Sequence, residues 1–130
     1  MLKALKPPSI RPPLARYSHG VEVPEGCRLV LCSGQLGMDA KERIPDDPGE
    51  QAELCFANIA AILAEAGLTL ADVVKINAFV SDRAHLKPYM QVRDRLFGDP
   101  PPASTLMIVS GFARPEFKVE VEAIAAAAPP

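Results

Sequence analysis

The chain has 130 residues, of which 48% are hydrophobic and 23% are charged, with a formal net charge of −2. This length suits one domain with a sizeable core and is too short for two. The mildly acidic balance disfavours a nucleic-acid surface, which needs clustered Lys and Arg. No apolar run approaches the roughly 18 residues that a membrane span requires.

Residues 1–14 differ in composition from the remainder of the chain. They contain Lys3, Lys6 and Arg11 without any acidic residue, and four prolines. Such a segment predicts an extended, partly ordered basic arm. Residues 15–128 then form the single domain.

The cysteine and histidine content argues against disulfides and metal sites. Cys27, Cys32 and Cys55 are odd in number and form no C-x-x-C pair, so buried free thiols in a reducing cytoplasm are expected. His19 and His85 are the only histidines and lack ligand spacing, so no metal is expected.

Two strands are predicted at the start of the domain. Residues 16–23 alternate between larger side chains and Ser, Gly or Glu, with the larger ones at Tyr17, His19, Val21 and Val23. A turn at 24–26 leads into a more buried strand at 28–37. Since only a short turn separates the two strands, we expect them to pair as a hairpin.

A helix is predicted for Glu50 to Ala66. Asp46 or Asp47 supplies an N-cap and Pro48 a first-turn proline, while Gly67 provides the stop. Apolar residues recur along one stripe of this segment, at Cys55, Ile59, Ile62 and Ala66.

A strand at Val73 to Val80 and a second helix from about Ala84 to Phe97 follow. Arg93 falls on the apolar side of this second helix. Either its stem snorkels at the helix edge, or the arginine faces a partner or a pocket.

Two more strands, Thr105 to Val109 and Phe117 to Ala125, complete the order β-β-α-β-α-β-β. Each helical crossover makes the strands that it joins parallel, which predicts an α+β fold with a mixed sheet and both helices on one face. The opposite face carries apolar residues in every strand. Oligomerisation through that face would bury them.

Glu120 and Glu122 share one face of the last predicted strand. That face is either simply solvated, or it brings one carboxylate into a cleft where it acts as a general base.

Two short segments carry further polar groups, "CSGQ" at 32–35 and "YSHG" at 17–20. A serine followed by glycine at a strand end can offer a hydroxyl and a close backbone N–H to a ligand. No His-Asp relay accompanies either serine in sequence, so a nucleophilic triad is disfavoured.

Together these segments resemble the Rid proteins, also called the YjgF/YER057c/UK114 or L-PSP family. The resemblance covers about Ala15 to Ala126 and is carried by YSHGVEV, LVLCSGQLG, QAELCFANIAAILAEAGLTLADVVKINAFVSD, PPAST and KVEVEAIA. It implies a chorismate-mutase-like fold and a homotrimer, a barrel-like assembly with clefts between subunits. It also implies hydrolysis of reactive 2-iminoacids or enamines to 2-ketoacids and ammonia without a cofactor.

The family's functional residues match this chain in part. Glu120 matches the glutamate that positions the attacking water. Tyr17 matches the tyrosine of the family's first strand motif, and Ser33 and Gly34 match the pair that lines the cleft.

The family's substrate-binding arginine has no counterpart, because the family's P-A-R-S reads Pro102, Ala103, Ser104, Thr105 here. Met90 stands near the position of the family's helical asparagine. The chain therefore resembles Rid subgroups that lack this arginine.

Three outcomes remain open for the substrate site. Arg93 or Arg114 could supply the missing cation. Alternatively, Ser104 and Thr105 could receive a neutral or differently charged substrate, with Glu120 and His19 in acid–base roles. Lastly, the cleft could bind a small metabolite without turnover. Ribonuclease action is disfavoured because no basic stripe with aromatic residues is present.

Overall fold

A computed structural model of the protein describes residues 2–130, and one mixed sheet backed by two helices makes up most of it. The strands are β1 (Lys3–Leu5), β2 (Gly20–Glu22), β3 (Arg28–Leu36), β4 (Val73–Val80), β5 (Ala103–Ile108) and β6 (Val119–Ala127). The helices are α1 (Pro48–Glu65) and α2 (Leu86–Leu96). The predicted α+β class and the placement of both helices on one sheet are confirmed. No helix within the described residues combines the length and the apolarity that a membrane crossing requires.

The main sheet has the strand order β3-β6-β4-β5. β6 is antiparallel to both of its neighbours, and β4 and β5 are parallel. The strands joined by each helical crossover therefore run in the same direction, as predicted.

Strict alternation in β6 separates the two faces of the sheet. The side chains that face the helices are at most 4% exposed and belong to Val119, Val121, Ala123 and Ala125. Glu120 and Glu122 point to the opposite face, which neither helix covers. We call this the open face.

Helix α1 has the cap and the stop that its sequence predicts, although it spans Pro48–Glu65 rather than Glu50 to Ala66. The Asp47 carboxylate accepts a hydrogen bond from the Glu50 N–H at 2.9 Å, and Pro48 occupies the first turn. Gly67 follows the helix with φ of 76°, a conformation that favours glycine. The buried face of α1 packs on the sheet through Ala52, Cys55, Phe56, Ile59 and Leu63.

The aromatic part of the core joins the two helices. The Phe56 ring lies 5.9 Å from the Tyr89 ring and 5.4 Å from the Phe97 ring, between centroids.

All three cysteines are free thiols, with Cys32 and Cys55 buried and Cys27 partly buried. Burial raises the pKa of the Cys55 thiol to about 12, so this side chain behaves as an apolar core residue.

The predicted hairpin is wrong. β2 pairs with β1 from the N-terminal arm, in the register Ala4 to Val21, whereas β3 pairs with β6. β3 therefore pairs with the last strand of the chain, and β2 pairs with the strand of the N-terminal arm. Only Gly20–Glu22 of the predicted strand at 16–23 is regular, because the preceding residues turn along the edge of β5 with a single bridge from Ser18 to Ala103.

Helix α2 is shorter than predicted. Residues Arg83–His85 form a 3₁₀ turn in which the Asp82 carboxylate accepts a hydrogen bond from the Ala84 N–H at 2.8 Å, and the α-helix begins only at Leu86. The tighter turn accounts for the difference from the predicted start at Ala84.

Candidate functional site

A β-bulge in β3 brings Ser33 and Gly34 to the open face beside the β6 carboxylates. The pairing runs from Cys32 opposite Ala123 to Gln35 opposite Val121, so two residues of β3 oppose Glu122 alone. The bulged residues are exposed.

The Glu120 carboxylate lies directly against the backbone of Gly34. A Cβ atom added to Gly34 would sit 2.9 Å from the Cδ atom of Glu120 and closer still to its Oε2 atom. Since real Cβ atoms do not approach so closely, glycine is what permits this contact. The contact joins the two parts of the predicted site, the S-G pair and the last-strand glutamate.

A row of polar side chains continues from Glu122 across the sheet. Asn77 lies between Glu122 and Thr105 in register, and its amide donates to the Glu122 carboxylate at 3.5 Å. The Lys75 ammonium donates to the Thr105 hydroxyl at 2.9 Å. Glu120, Glu122 and Thr105 therefore belong to one set of polar side chains on the open face, which we call the polar row. Lys75 and Asn77, which were not among the predicted site residues, complete it. The alternation of Lys75 and Asn77 with buried Ile76 and Ala78 was the available signal.

Tyr17 and His19 lie elsewhere, at the base of the N-terminal arm. The Tyr17 hydroxyl accepts a hydrogen bond from the Leu14 N–H at 3.3 Å, and His19 Nε2 lies 2.7 Å from the Arg11 carbonyl oxygen. Their rings meet edge to face with centroids 6.2 Å apart. Within this chain, both side chains hold the arm and neither lies in the polar row with Glu120.

Ser104 points to the side of the sheet that carries the helices. It pairs in register with Ile76, which is fully buried, and its hydroxyl is buried without a hydrogen-bond partner among residues 2–130. Thr105, the next residue, is exposed on the open face. Of the two residues predicted to receive substrate from β5, the described chain thus presents only Thr105 there.

Neither of the candidate arginines, Arg93 and Arg114, lies on the open face. Arg93 is 4% exposed, with its guanidinium 5.8 Å from the Tyr89 ring centroid and 3.0 Å from the Asp94 carboxylate. The snorkelling interpretation of Arg93 is therefore wrong, because its charge is buried with the helices. Arg114 lies in the loop before β6, over the Phe117 ring at 5.1 Å and 3.9 Å from the Glu116 carboxylate.

The described residues, 2–130, contain no group of three or more His, Cys, Asp or Glu side chains placed to hold a metal ion. The polar groups that this chain places on the open face are carboxylates, an amide, hydroxyls and one ammonium group.

Comparison with known proteins identifies similar chains. The family model described as Endoribonuclease L-PSP matches residues 9–127. Protein DfrA of Myxococcus xanthus is 35% identical over 111 residues, covering 84% of this chain and 83% of that protein. A 2-iminobutanoate/2-iminopropanoate deaminase of Dermatophagoides farinae is 29% identical over 114 residues, covering 86% of each.

Among solved structures, the Rid family protein YyfB from Yersinia pestis superimposes with a TM-score of 0.85 at 28% identity. The match covers 97% of this chain and 98% of that one.

Proposed function

Because this chain belongs to the L-PSP family, whose members include the Rid proteins, we propose that it hydrolyses a reactive imine or enamine to a keto product and ammonia without a cofactor. The proposal rests on the contact between the Glu120 carboxylate and the Gly34 backbone. A relative of this chain carries the name of a 2-iminobutanoate/2-iminopropanoate deaminase, which supports the reaction class.

Glu120 is the proposed general base. A water molecule adds its oxygen to the carbon of the C=N bond, and Glu120 takes one water proton and passes it to the nitrogen, which gives a neutral carbinolamine. Glu120 then moves the hydroxyl proton to the nitrogen, the C–N bond breaks, and ammonia leaves as the carbonyl group forms. The sum is imine plus water giving ketone plus ammonia, so no electrons are exchanged and no redox partner is needed.

The bulge supports this role by geometry. Gly34 lets the carboxylate rest on the strand backbone, where an exposed N–H or the Ser33 hydroxyl can hold the water or the substrate nitrogen. Holding the reacting groups in place in this way is worth several powers of ten in well-ordered sites.

Substrate choice is proposed to differ from that of Rid proteins that carry the arginine. A charge-assisted contact between arginine and a carboxylate contributes about 1.5–3 kcal/mol, or roughly 10- to 150-fold in binding. Ser104 supplies no such contact. Lys75 and Thr105, joined at 2.9 Å, are the cationic and hydroxyl groups that remain on the open face, which suits a neutral or differently charged enamine.

A homotrimer is part of the proposal. Leu29, Leu31 and Met107 are 56%, 71% and 49% exposed, although they lie in strands of the main sheet. Burying them between subunits would remove apolar surface from water and would turn the edges of the open face into clefts.

Ammonia release tests the proposed activity. The substrates are 2-iminopropanoate, generated from alanine by an amino-acid oxidase, and an enamine of the 2-aminomuconate type. We expect the protein to accelerate release from at least one of them and Glu120→Gln to lose at least about 10²-fold, since general bases contribute 10²–10⁴. Glu65→Gln, an exposed carboxylate at the end of α1, is the matched control and keeps the parent rate.

No acceleration with either substrate, or equal rates for Glu120→Gln and the parent, contradicts the proposal. Loss of the family arginine favours one alternative, a metabolite-binding protein without turnover. That alternative predicts a thermal shift with a ligand that is recovered unchanged.

A further inference from the structure

A cavity of about 560 Å³ lies beneath the N-terminal arm. Its walls are the proline-rich arm from Leu5 to Pro13, the segment from Ala15 to His19, and the turn at Asp99 to Pro101. This volume falls within the 300–1,000 Å³ typical of small-molecule sites. Neither Glu120 nor Gly34 lines the cavity, so it is distinct from the polar row on the open face.

The cavity walls are fixed by specific contacts at several points. The β1–β2 pairing holds the start of the arm, and His19 and Tyr17 bind its backbone at Arg11 and Leu14. The Arg16 guanidinium donates to the carbonyl oxygens of Gly98, at 2.7 Å, and Asp94, at 3.4 Å. Prolines at four arm positions restrict the backbone further, so a ligand would meet a largely preformed site.

Charge in the cavity is mainly positive. Among the residues that the structure describes, neither the Lys6 ammonium nor the Arg11 guanidinium has a hydrogen-bond or ion-pair partner. Arg16 is already engaged by carbonyl oxygens, and Asp99 is the one carboxylate in the lining. The lining therefore carries two cations without a partner and one carboxylate.

The rest of the lining offers an apolar surface. Leu5 and Ile10 are 43% and 51% exposed, and prolines from the arm and from the turn surround them. The Tyr17 ring adds an aromatic face. Apolar walls with a few convergent polar groups are the usual composition of a site for a small organic ligand.

We infer that this cavity binds a small molecule that carries a carboxylate on an apolar body, with Arg11 and Lys6 holding the carboxylate. The planar guanidinium of Arg11 matches a carboxylate in a bidentate geometry, and Lys6 adds a second positive charge. The inference concerns binding alone and does not depend on the proposed deaminase activity.

Calorimetric titration of the full chain with naphthalene-2-carboxylate tests the inference. We expect saturable binding, and we expect the double variant Lys6→Gln/Arg11→Gln to weaken it by at least about tenfold, because charge-assisted contacts are lost. The control is Lys41→Gln/Arg43→Gln, which removes the same charge from an exposed loop outside the cavity and leaves affinity within about twofold. Both altered pairs are exposed, and the unfolding midpoint checks that each variant remains folded.

Two further titrations sharpen the test. The uncharged analogue 2-naphthamide should bind more weakly than the carboxylate and should not respond to the double variant. Asp99→Asn removes the lone carboxylate from the lining and should tighten binding of the anion. Inorganic phosphate is titrated in parallel; we expect it to bind more weakly, because it has no apolar body.

Several results would overturn the inference. They are the absence of saturable binding, equal affinity for the parent and the Lys6→Gln/Arg11→Gln variant, an equal loss in the loop control, equal binding of 2-naphthamide, or phosphate binding as tight as naphthoate binding. Each is read from affinity, so the outcome stands apart from any result on ammonia release.

Discussion

At the residue scale, Ser18 and Ser104 show how a hydrogen bond changes the contribution of a buried hydroxyl to stability. Ser18 is 7% exposed, and its hydroxyl donates to the Pro101 carbonyl oxygen. The Ser104 hydroxyl is buried without a partner among residues 2–130. An unpaired buried hydroxyl costs about 1–3 kcal/mol, whereas a paired one contributes roughly 1 kcal/mol.

Alanine substitutions should therefore act in opposite directions at these positions. Ser18→Ala should lower the free energy of unfolding by about 1 kcal/mol, because it removes a hydrogen bond and leaves a carbonyl unpaired. Ser104→Ala should leave it unchanged or raise it by up to about 1 kcal/mol. Urea unfolding of both variants measures the difference, and a larger loss for Ser104→Ala than for Ser18→Ala would contradict the placement of the Ser104 hydroxyl.

At the scale of secondary-structure elements, the Gln51 side chain connects the first turn of α1 to two loops. It is fully buried, and its amide nitrogen donates to the carbonyl oxygens of Pro45, at 2.8 Å, and Glu116, at 2.9 Å. Its carbonyl oxygen accepts from the Lys118 N–H at 2.8 Å. The side chain thus satisfies three backbone groups, two of which lie just ahead of β6, the strand that carries Glu120.

Gln51→Met keeps the volume but removes all three hydrogen bonds. We expect a loss of about 3 kcal/mol or more, since two carbonyls and one N–H lose their partner in a buried region. Gln91→Met, at an exposed position of α2, is the control and should stay within about 0.5 kcal/mol. Equal midpoints in urea for the two variants would contradict this role of Gln51.

Elements with a strong local signal were predictable from the sequence, and pairings between distant segments were not. The N-cap and proline at Asp47 and Pro48 predicted where α1 starts, and alternation predicted the two faces of β6. The partner of β2 was missed because pairing with the arm depends on tertiary contacts rather than on the turn at 24–26.

The candidate site was likewise predictable only in part. The link between Glu120 and the S-G pair followed from the family resemblance, and the contact at Gly34 supports it. The side of the sheet that Ser104 faces was missed, because it depends on the register of β5 against β4, which pairs Ser104 with the buried Ile76.

The whole molecule has one sheet face covered by helices and one left open. Since large apolar side chains such as Leu29 and Leu31 remain more than half exposed there, the isolated chain leaves apolar surface in water that a second and third copy could cover. The polar row with Glu120 shares this face, so assembly and activity should depend on one another.

Light scattering should therefore give the mass of three chains for the parent. Leu31→Lys places a charge on the open face and should shift the mass towards that of one chain while the far-ultraviolet circular dichroism is retained. Ala61→Lys, at an exposed position of α1 on the covered side of the sheet, should leave the mass unchanged. A parent that runs as a monomer, or a trimer unaffected by Leu31→Lys, would contradict the proposed interface.

The bulge in β3 also bears on the length of the chain. Cys32 opposite Ala123 and Gln35 opposite Val121 would keep their partners if only one residue stood between them, because β6 has a single residue, Glu122, at that point. The ladder itself thus needs one residue fewer than it contains. The extra residue belongs to the bulge that brings Gly34 against Glu120. Deleting one residue here would give a regular strand, in which the Glu120 carboxylate loses the place where it contacts the backbone.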